Sequence, residues 1–76
     1  MTTRQRQLLA ALADSGETMG PYDIGRAADG RDPASVSGIL KALRPLIRDG
    51  LVTRRLGAHP QHDEYRITAA GREALR

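Results

Sequence analysis

The chain has 76 residues and no cysteine, and its twelve Lys and Arg against nine Asp and Glu give a net charge of +3. A chain of this length buries only about 60% of the surface that its unfolded form exposes, so we expect one domain over residues 1–76 and no large pocket. Without cysteine, neither disulfides nor a thiolate metal site can hold the fold together. The longest apolar run, residues 8–13, is too short for a membrane span. We therefore expect a soluble, cytoplasmic protein that contacts no membrane.

The N-terminal segment has the signature of a capped amphipathic helix. Thr2 with Gln5 three residues later fits a capping box. Leucines then recur at one helical stripe, at Leu8, Leu9 and Leu12. These signals predict a helix that ends at about Asp14, before Ser15-Gly16.

Residues 17–28 contain a short extended segment and a brief second helix. Residues 17–19 are predicted to be extended, and Pro21 suits the first helical turn, so the helix covers residues 21–28. Its inward positions are Ile24 and either Ala27 or Ala28. Tyr22, Asp23 and Arg26 are expected to be accessible.

A third helix is predicted to begin at Asp32-Pro33, with Asp32 as N-cap and Pro33 at the first helical position. Its buried face comprises Val36, Ile39, Leu40, Leu43, Leu46 and Ile47. The opposite face comprises Ser35, Ser37, Gly38, Lys41, Ala42, Arg44 and Arg48. Pro45 lacks an amide hydrogen and crowds the carbonyl of Lys41, which predicts a bend or a tightened last turn.

The remaining residues have the pattern of a basic hairpin followed by a short helix. Asp49-Gly50 ends the third helix, because glycine accepts the left-handed conformation there. Leu51-Val52 starts a strand, residues 57–63 form a polar loop, and residues 64–67 return with alternate side chains, Tyr65 and Ile67, on one face. Thr68 is placed to cap a final helix that starts at Ala69.

This mainly α arrangement with a small antiparallel β wing resembles the winged helix-turn-helix domains of bacterial transcriptional regulators, especially the PadR and MarR families. Three segments carry the resemblance, which spans nearly the whole chain: GPYDIGRAA at residues 20–28, ILKALRPLIRDGLVTRR at 39–55 and YRITAAGREAL at 65–75. It implies sequence-specific binding of double-stranded DNA and regulation of transcription, more often as a repressor than as an activator.

The chain departs from these families in two respects. Members usually carry further helices for dimerisation and ligand sensing, whereas this chain ends just after the wing. Pro45 also interrupts a helix that is usually continuous. We expect a bare DNA-binding domain, such as a small accessory regulator or a phage- or plasmid-type repressor, that works without a cofactor.

The short side chains at the start of the third helix are candidates for base contacts. The hydroxyls of Ser35 and Ser37 donate or accept without holding the helix away from a base edge, and Gly38 permits close approach. Lys41 and Arg44 lie one and two turns further on, within reach of guanine edges or of phosphates. For each of these residues an ordinary solvated side chain is the alternative interpretation.

Cations concentrate between residues 41 and 55, where Asp49 is the one acid. Such a stretch predicts a local basic surface that suits phosphates, although a solvated helix face is the alternative. Arg54 and Arg55 alternate along the wing strand, so one should face the DNA backbone or minor groove while the other faces elsewhere. Tyr22 and Arg26 on the second helix are candidate phosphate contacts.

Other classes of function are less well supported. Ser15, Ser35 and Ser37 have no His and acid partners in a triad pattern, and no phosphate loop is visible, so we do not expect an enzyme. His59, His62 and Asp63 have spacing tolerable for zinc or nickel, but a polar loop tip is the more typical interpretation. A winged-helix module that binds another protein is the main alternative function. A homodimer on DNA is expected, because a single recognition helix reads few bases.

Overall fold

The computed structural model of the chain describes residues 1–59 and 62–76. Its elements are α1 (Thr3–Ser15), α2 (Pro21–Asp29), α3 (Val36–Arg48), β1 (Val52–Arg55), β2 (Glu64–Ile67) and α4 (Ala69–Ala74). Three helices, a two-strand hairpin and a short final helix therefore follow one another as predicted. Two positions of the predicted wing loop, 60 and 61, lie outside the described residues.

The beginning of α1 confirms the predicted capping box. The Gln5 amide donates to the Thr2 hydroxyl over 3.1 Å, and the Thr2 amide donates to the Gln5 side-chain oxygen over 2.9 Å. Two amides that lack a partner within the helix are thereby satisfied. The helix ends at Gly16, whose φ of 69° is left-handed.

The beginning of α3 differs from the prediction. Ser35, not Asp32, is the N-cap, and its hydroxyl accepts a hydrogen bond from the Gly38 amide over 3.3 Å. Pro33 lies in the turn between α2 and α3 and packs on α2, where a Cβ added at Gly25 would lie 3.0 Å from the Pro33 Cβ. Asp and Ser cap helices about equally well, so residue preference alone does not distinguish the two positions.

The end of α3 is closed by backbone hydrogen bonds. The helix is continuous through Pro45 to Arg48. The Gly50 amide then donates to the Ile47 carbonyl and the Leu51 amide to the Leu46 carbonyl, over 3.1 and 2.9 Å. Gly50 has a φ of 75°, so these bonds form the Schellman motif that the left-handed glycine permits.

One hydrophobic core joins the helices to the hairpin. It consists of Leu8, Leu9, Leu12, Ile24, Ile39, Leu43, Leu46, Val52, Tyr65 and Ile67. The predicted inward face of α1 is therefore confirmed, as are Ile39, Leu43 and Leu46 of α3. Leu40 and Ile47 are half-buried against the core, and Val36 is half-buried. Ala42, predicted on the outer face, is half-buried and also packs against the core. In α2, Ala28 is half-buried while Ala27 is exposed, and Gly25 is buried against α3. No helix in the described part of the chain is long and apolar enough to span a membrane.

The hairpin packs on the core through one of its faces. β1 and β2 are antiparallel, and their register pairs Val52 with Ile67 and Arg54 with Tyr65. The extended segment predicted at residues 17–19 is reduced to a single bridge, in which Met19 and Tyr65 exchange backbone hydrogen bonds of 2.9 and 2.8 Å. Only Met19 of that segment lies beside β2, because Gly20 leads directly into α2.

Thr68 connects the hairpin to α4 as predicted. Its hydroxyl accepts from the Gly71 amide over 3.0 Å and donates to the Gly50 carbonyl over 2.7 Å. Its own amide donates to the Leu51 carbonyl over 3.0 Å. The start of α4 is therefore bonded to the backbone that links α3 to β1.

Candidate nucleic-acid interface

The exposed face of α3 is polar at its start and cationic along its length. Ser37, Lys41, Arg44 and Arg48 are all exposed, and their spacing of four, three and four residues places them on one helical stripe. The helix contains no acidic residue. Only its last cation is paired within the described chain, since Arg48 lies 3.2 Å from Asp49. The rest of the stripe thus presents uncompensated positive charge.

The two serines at the start of α3 interact with each other. Their hydroxyl oxygens lie 3.0 Å apart, and Ser35 additionally accepts from the Gly38 amide. Ser35 therefore has a structural role that its prediction as a base contact did not include. Ser37 lies beyond it on the exposed stripe. Gly38 is open on its outer side, because a Cβ added there would meet nothing nearer than Ser35 at 3.9 Å.

Arg54 and Arg55 lie on opposite faces of the hairpin. Arg54 is opposite Tyr65, on the face that packs on the helices, and Arg55 is opposite Glu64 on the outer face. Both side chains are exposed. The predicted alternation is thus present, and the register of the hairpin identifies which arginine is turned towards α3.

Arg54 and Arg44 lie on the walls of a groove of about 410 Å³ between α3 and the hairpin. Its lining also includes the half-buried Leu40 and Ile47 and the phenol of Tyr65. Burial raises the pKa of Tyr65 and the nearby Asp63 charge raises it further, whereas the Arg54 guanidinium lowers it. Arg54 therefore lies beside the Tyr65 phenol, in a groove that the Asp63 carboxylate also lines.

Tyr22 and Arg26 are exposed one turn apart on α2, as predicted, but both face a carboxylate. Arg26 Nε lies 3.8 Å from an Asp32 oxygen. A hydrogen bond to Asp32 also raises the pKa of Tyr22 above its ordinary value of 10.0. From the sequence, Asp32 was predicted to be the N-cap of the third helix. Its position beside Tyr22 and Arg26 was not predicted. An incoming phosphate would compete with Asp32 for both side chains.

The wing loop is closed at its base by a buried acid. The Gly57 amide donates to an Asp63 carboxylate oxygen over 2.7 Å, and Asp63 is only 4% exposed. At the loop, the rings of His59 and His62 meet edge to face with centroids 5.4 Å apart. Across residues 1–59 and 62–76, no three His, Cys, Asp or Glu side chains are grouped as metal ligands. The sequence predicted a polar loop. It did not predict the hydrogen bond between Gly57 and Asp63, because no periodic pattern indicates such a contact.

Four cations of the described chain form ion pairs: Arg4 with Asp29, Arg26 with Asp32, Arg48 with Asp49 and Arg76 with Glu73. The unpaired cations on α3 and β1 are Lys41, Arg44, Arg54 and Arg55. Elsewhere in the described residues, Arg6, Arg31, Arg66 and Arg72 also form no ion pair, but they are scattered along the chain. In contrast, α3 and β1 pack against each other. Arg44 and Arg54 line the same groove, whereas Arg55 lies on the outer face of the wing. The four unpaired cations of α3 and β1 are hereafter called the α3–wing surface.

No protein-family model and no curated protein sequence matches the chain. Its fold, however, matches solved structures. RosR of H. salinarum superposes with a TM-score of 0.80 at 23% identity, covering 99% of this chain and 67% of that one. BpsR of Bordetella bronchiseptica, whose DNA binding is regulated by 6-hydroxynicotinic acid, superposes with a TM-score of 0.79 at 20% identity, covering 99% and 50%. MarR of E. coli superposes with a TM-score of 0.76 at 16% identity, again covering 99% and 50%.

These similarities show that the chain has the winged-helix fold of MarR-type regulators, as its sequence predicted. The chain spans about half to two thirds of the length of the structures that it matches. At such identities the likeness concerns the fold. The PadR-like character of residues 20–28 stays a prediction.

Proposed function

We propose that the chain binds double-stranded DNA sequence-specifically through the α3–wing surface and represses transcription. The observation that carries this proposal is the concentration of unpaired cations on α3 and β1. Phosphate neutralisation by Lys and Arg supplies a large share of protein–DNA affinity, and a recognition helix beside a basic wing is a known docking geometry. The similarity to BpsR, a DNA-binding protein, supports the same conclusion.

In this proposal α3 enters the major groove with its exposed stripe towards the bases. Ser37 and Lys41 reach base edges near the start of the helix, and Arg44 reaches a guanine edge or a phosphate. Ser35 supports them through its contact with Ser37, and Gly38 allows the helix to come close.

The other predicted contacts position the protein on the backbone. Arg54 contacts phosphates beside α3, and Arg55 reaches them from the outer face of the wing. Tyr22 and Arg26 bind a phosphate at the start of the helix-turn-helix, after Asp32 has been displaced. These contacts add affinity on every duplex and carry little sequence information.

We infer that two copies bind one operator, because a single recognition helix contacts too few base pairs for adequate specificity. A two-fold pair would place the two α3 helices about 34 to 36 Å apart, one turn of DNA, on an inverted repeat. Binding to adjacent half-sites raises the local concentration, so the pair forms on DNA. Sedimentation of the free protein and a stoichiometry titration would test this. One protein per site on an asymmetric sequence would contradict it.

Selection from a random duplex library, followed by mobility-shift titration, tests the proposed function. We expect the full chain to enrich one motif, and we expect Lys41→Ala with Arg44→Ala to lose binding to it. The matched control is Arg6→Ala with Arg72→Ala, which removes the same charge from exposed positions on α1 and α4. If both double variants lost the same DNA affinity, the loss would be due to the lower net charge and not to the positions of Lys41 and Arg44. A failure to enrich any motif would contradict sequence-specific binding.

Repression needs a separate test. A reporter whose promoter overlaps the selected motif should lose transcription when the chain is expressed. Increased transcription would identify an activator instead, without affecting the proposal that the chain binds DNA.

A further inference from the structure

Leu56 is the most exposed large apolar side chain in the described part of the chain, with 72% of its surface accessible. The other two are Met1, at the chain terminus and 55% exposed, and Tyr22, which is 41% exposed and has Asp32 as a polar partner. Leu56 has no polar group that could account for its exposure. It directly follows the two arginines of β1.

The backbone on the C-terminal side of Leu56 is held in place. Gly57 donates its amide to the buried Asp63 carboxylate over 2.7 Å. A Cβ added at Gly57 would lie 2.5 Å from the His62 carbonyl oxygen, so the two sides of the loop are in direct contact. Leu56 is thus exposed at the base of a closed loop.

Leu56 also lies between two concave surfaces of the wing. One is the groove towards α3, which Arg44 and Arg54 line, and the other is lined by Arg55, His62 and Glu64 on the outer side. Asp63 lines the first surface and Glu64 the second, but neither forms an ion pair with Arg54 or Arg55 among the described residues. An apolar protein partner would bury these two arginines without a paired acid, which is unfavourable. Leu56 with an arginine on each side suits a partner whose apolar surface lies between two rows of anions.

We propose that Leu56 enters the minor groove of the bound duplex and packs against the deoxyribose walls or between two bases. This inference rests on the proposed function. With α3 in the major groove, the wing lies over the adjacent minor groove, and Arg54 and Arg55 flank Leu56 where the two phosphate backbones run. Leucine is one of the side chains that architectural proteins insert between minor-groove base steps.

The proposal separates two kinds of contact on the same wing. The arginines release counterions from phosphates, so their contribution falls as salt concentration rises. Leu56 contributes by releasing water from apolar surface, and this contribution depends little on salt concentration. The wing should also favour flexible pyrimidine–purine steps at its position, because these unstack most easily.

The test compares Leu56→Ser and Leu56→Met with the wild-type chain on its selected duplex over a range of salt concentrations. We expect Leu56→Ser to raise Kd about tenfold with the salt slope unchanged, because an apolar contact is lost and no phosphate contact is. Leu56→Met, which keeps the apolar volume, should bind like the wild type. The control is Ala70→Ser, which adds a hydroxyl at an exposed position on α4. Urea unfolding should be the same for all four proteins, since Leu56 is mainly exposed.

A second readout places the contact in the groove. With 2-aminopurine at the base step under the wing, wild-type binding should increase the fluorescence and Leu56→Ser should not. Unchanged Kd for Leu56→Ser, or a weaker Kd together with a flatter salt slope, would overturn the proposal. The proposal would also be overturned if Leu56→Ser bound DNA normally but sedimented differently from the wild type in the absence of DNA. That result would show that Leu56 contacts another protein chain. A wild-type chain that binds no duplex would overturn the proposed function as well.

Discussion

The backbone of Gly71, in the first turn of α4, lies directly against the carbonyl oxygen of Leu51. A Cβ added at position 71 would overlap that oxygen and the Ile67 side chain. Thr68 bonds to the same linker through its amide and its hydroxyl. The short final helix is therefore fixed to the segment between the proposed recognition helix and the wing, and it helps to set their relative position.

The space around two helical glycines predicts opposite effects of alanine on the free energy of unfolding. Gly71→Ala should lower the free energy of unfolding by about 1 to 3 kcal/mol, because a backbone atom has no alternative position to relax into. Gly38→Ala should raise it by about 0.5 to 1 kcal/mol, since its site is open and alanine favours helix. Urea unfolding followed by circular dichroism measures both. Equal stabilities for the two variants would contradict the described docking of α4.

The Arg4–Asp29 pair, which links α1 to α2, predicts a pH dependence of stability. The two hydrogen bonds from Arg4, of 2.6 and 3.1 Å, hold the pKa of Asp29 below its ordinary value of 3.8. A carboxyl group whose pKa is lowered in the folded state stabilises that state above its unfolded pKa, and the stabilisation is lost as the pH falls through its folded pKa.

The measurement compares wild type with Arg4→Gln between pH 7 and pH 2. Arg4→Gln should be less stable from neutral pH down to about pH 4, and the difference should shrink below that value. Arg6→Gln, on the same helix without an ion pair among the described residues, is the control. A difference that persists undiminished at the lowest pH would mean that Arg4 acts through packing.

Asp32 predicts a gain of DNA affinity on substitution. Because its carboxylate occupies Arg26 and Tyr22 in the free protein, Asp32→Asn should strengthen binding to all duplexes about threefold. Glu17→Gln, an equal change of charge at an exposed turn, controls for net charge. In an Arg26→Ala background the gain should vanish. A gain that survives there, or a loss of affinity from Asp32→Asn, would show that Asp32 does not compete with phosphate.

The exposed stripe of α3 and the wing should differ in what they contribute to binding. Ser37→Ala and Lys41→Ala should change the ranking of bases within the motif, at about 1 to 3 kcal/mol for a good base contact. Arg54→Ala with Arg55→Ala should weaken binding to specific and random duplexes alike. Competition assays on a panel of single-base variants separate the two effects. Identical losses on specific and random DNA for the α3 variants would argue against base reading.

The parts of the fold that depend on local pattern were predictable from the sequence. The leucine stripe of α1, the capping box at Thr2 and the left-handed turn at Gly50 each depend on residues a few positions apart. The beginning of α3 was not predictable in the same way. Asp32 and Ser35 are both good caps, and the contact of Pro33 with Gly25 that accompanies the cap at Ser35 involves residues of different elements.

The candidate site shows the same division. Helical spacing was sufficient to place Ser37, Lys41 and Arg44 on one face. Strand alternation showed that Arg54 and Arg55 diverge, but only the pairing of Arg54 with Tyr65 shows which of them faces α3. Contacts made by loop residues, such as Asp63 with Gly57, follow no period and needed the three-dimensional structure.

The salt dependence of DNA binding tests the α3–wing surface most directly. If Arg54 and Arg55 neutralise phosphates, log Kobs should fall linearly with log salt concentration, with a slope of about −0.9 for each contact. Replacing both with alanine should flatten the slope by about 2 on the same duplex. A wild-type slope near zero, or an equal slope in the double variant, would show that the wing does not bind the DNA backbone.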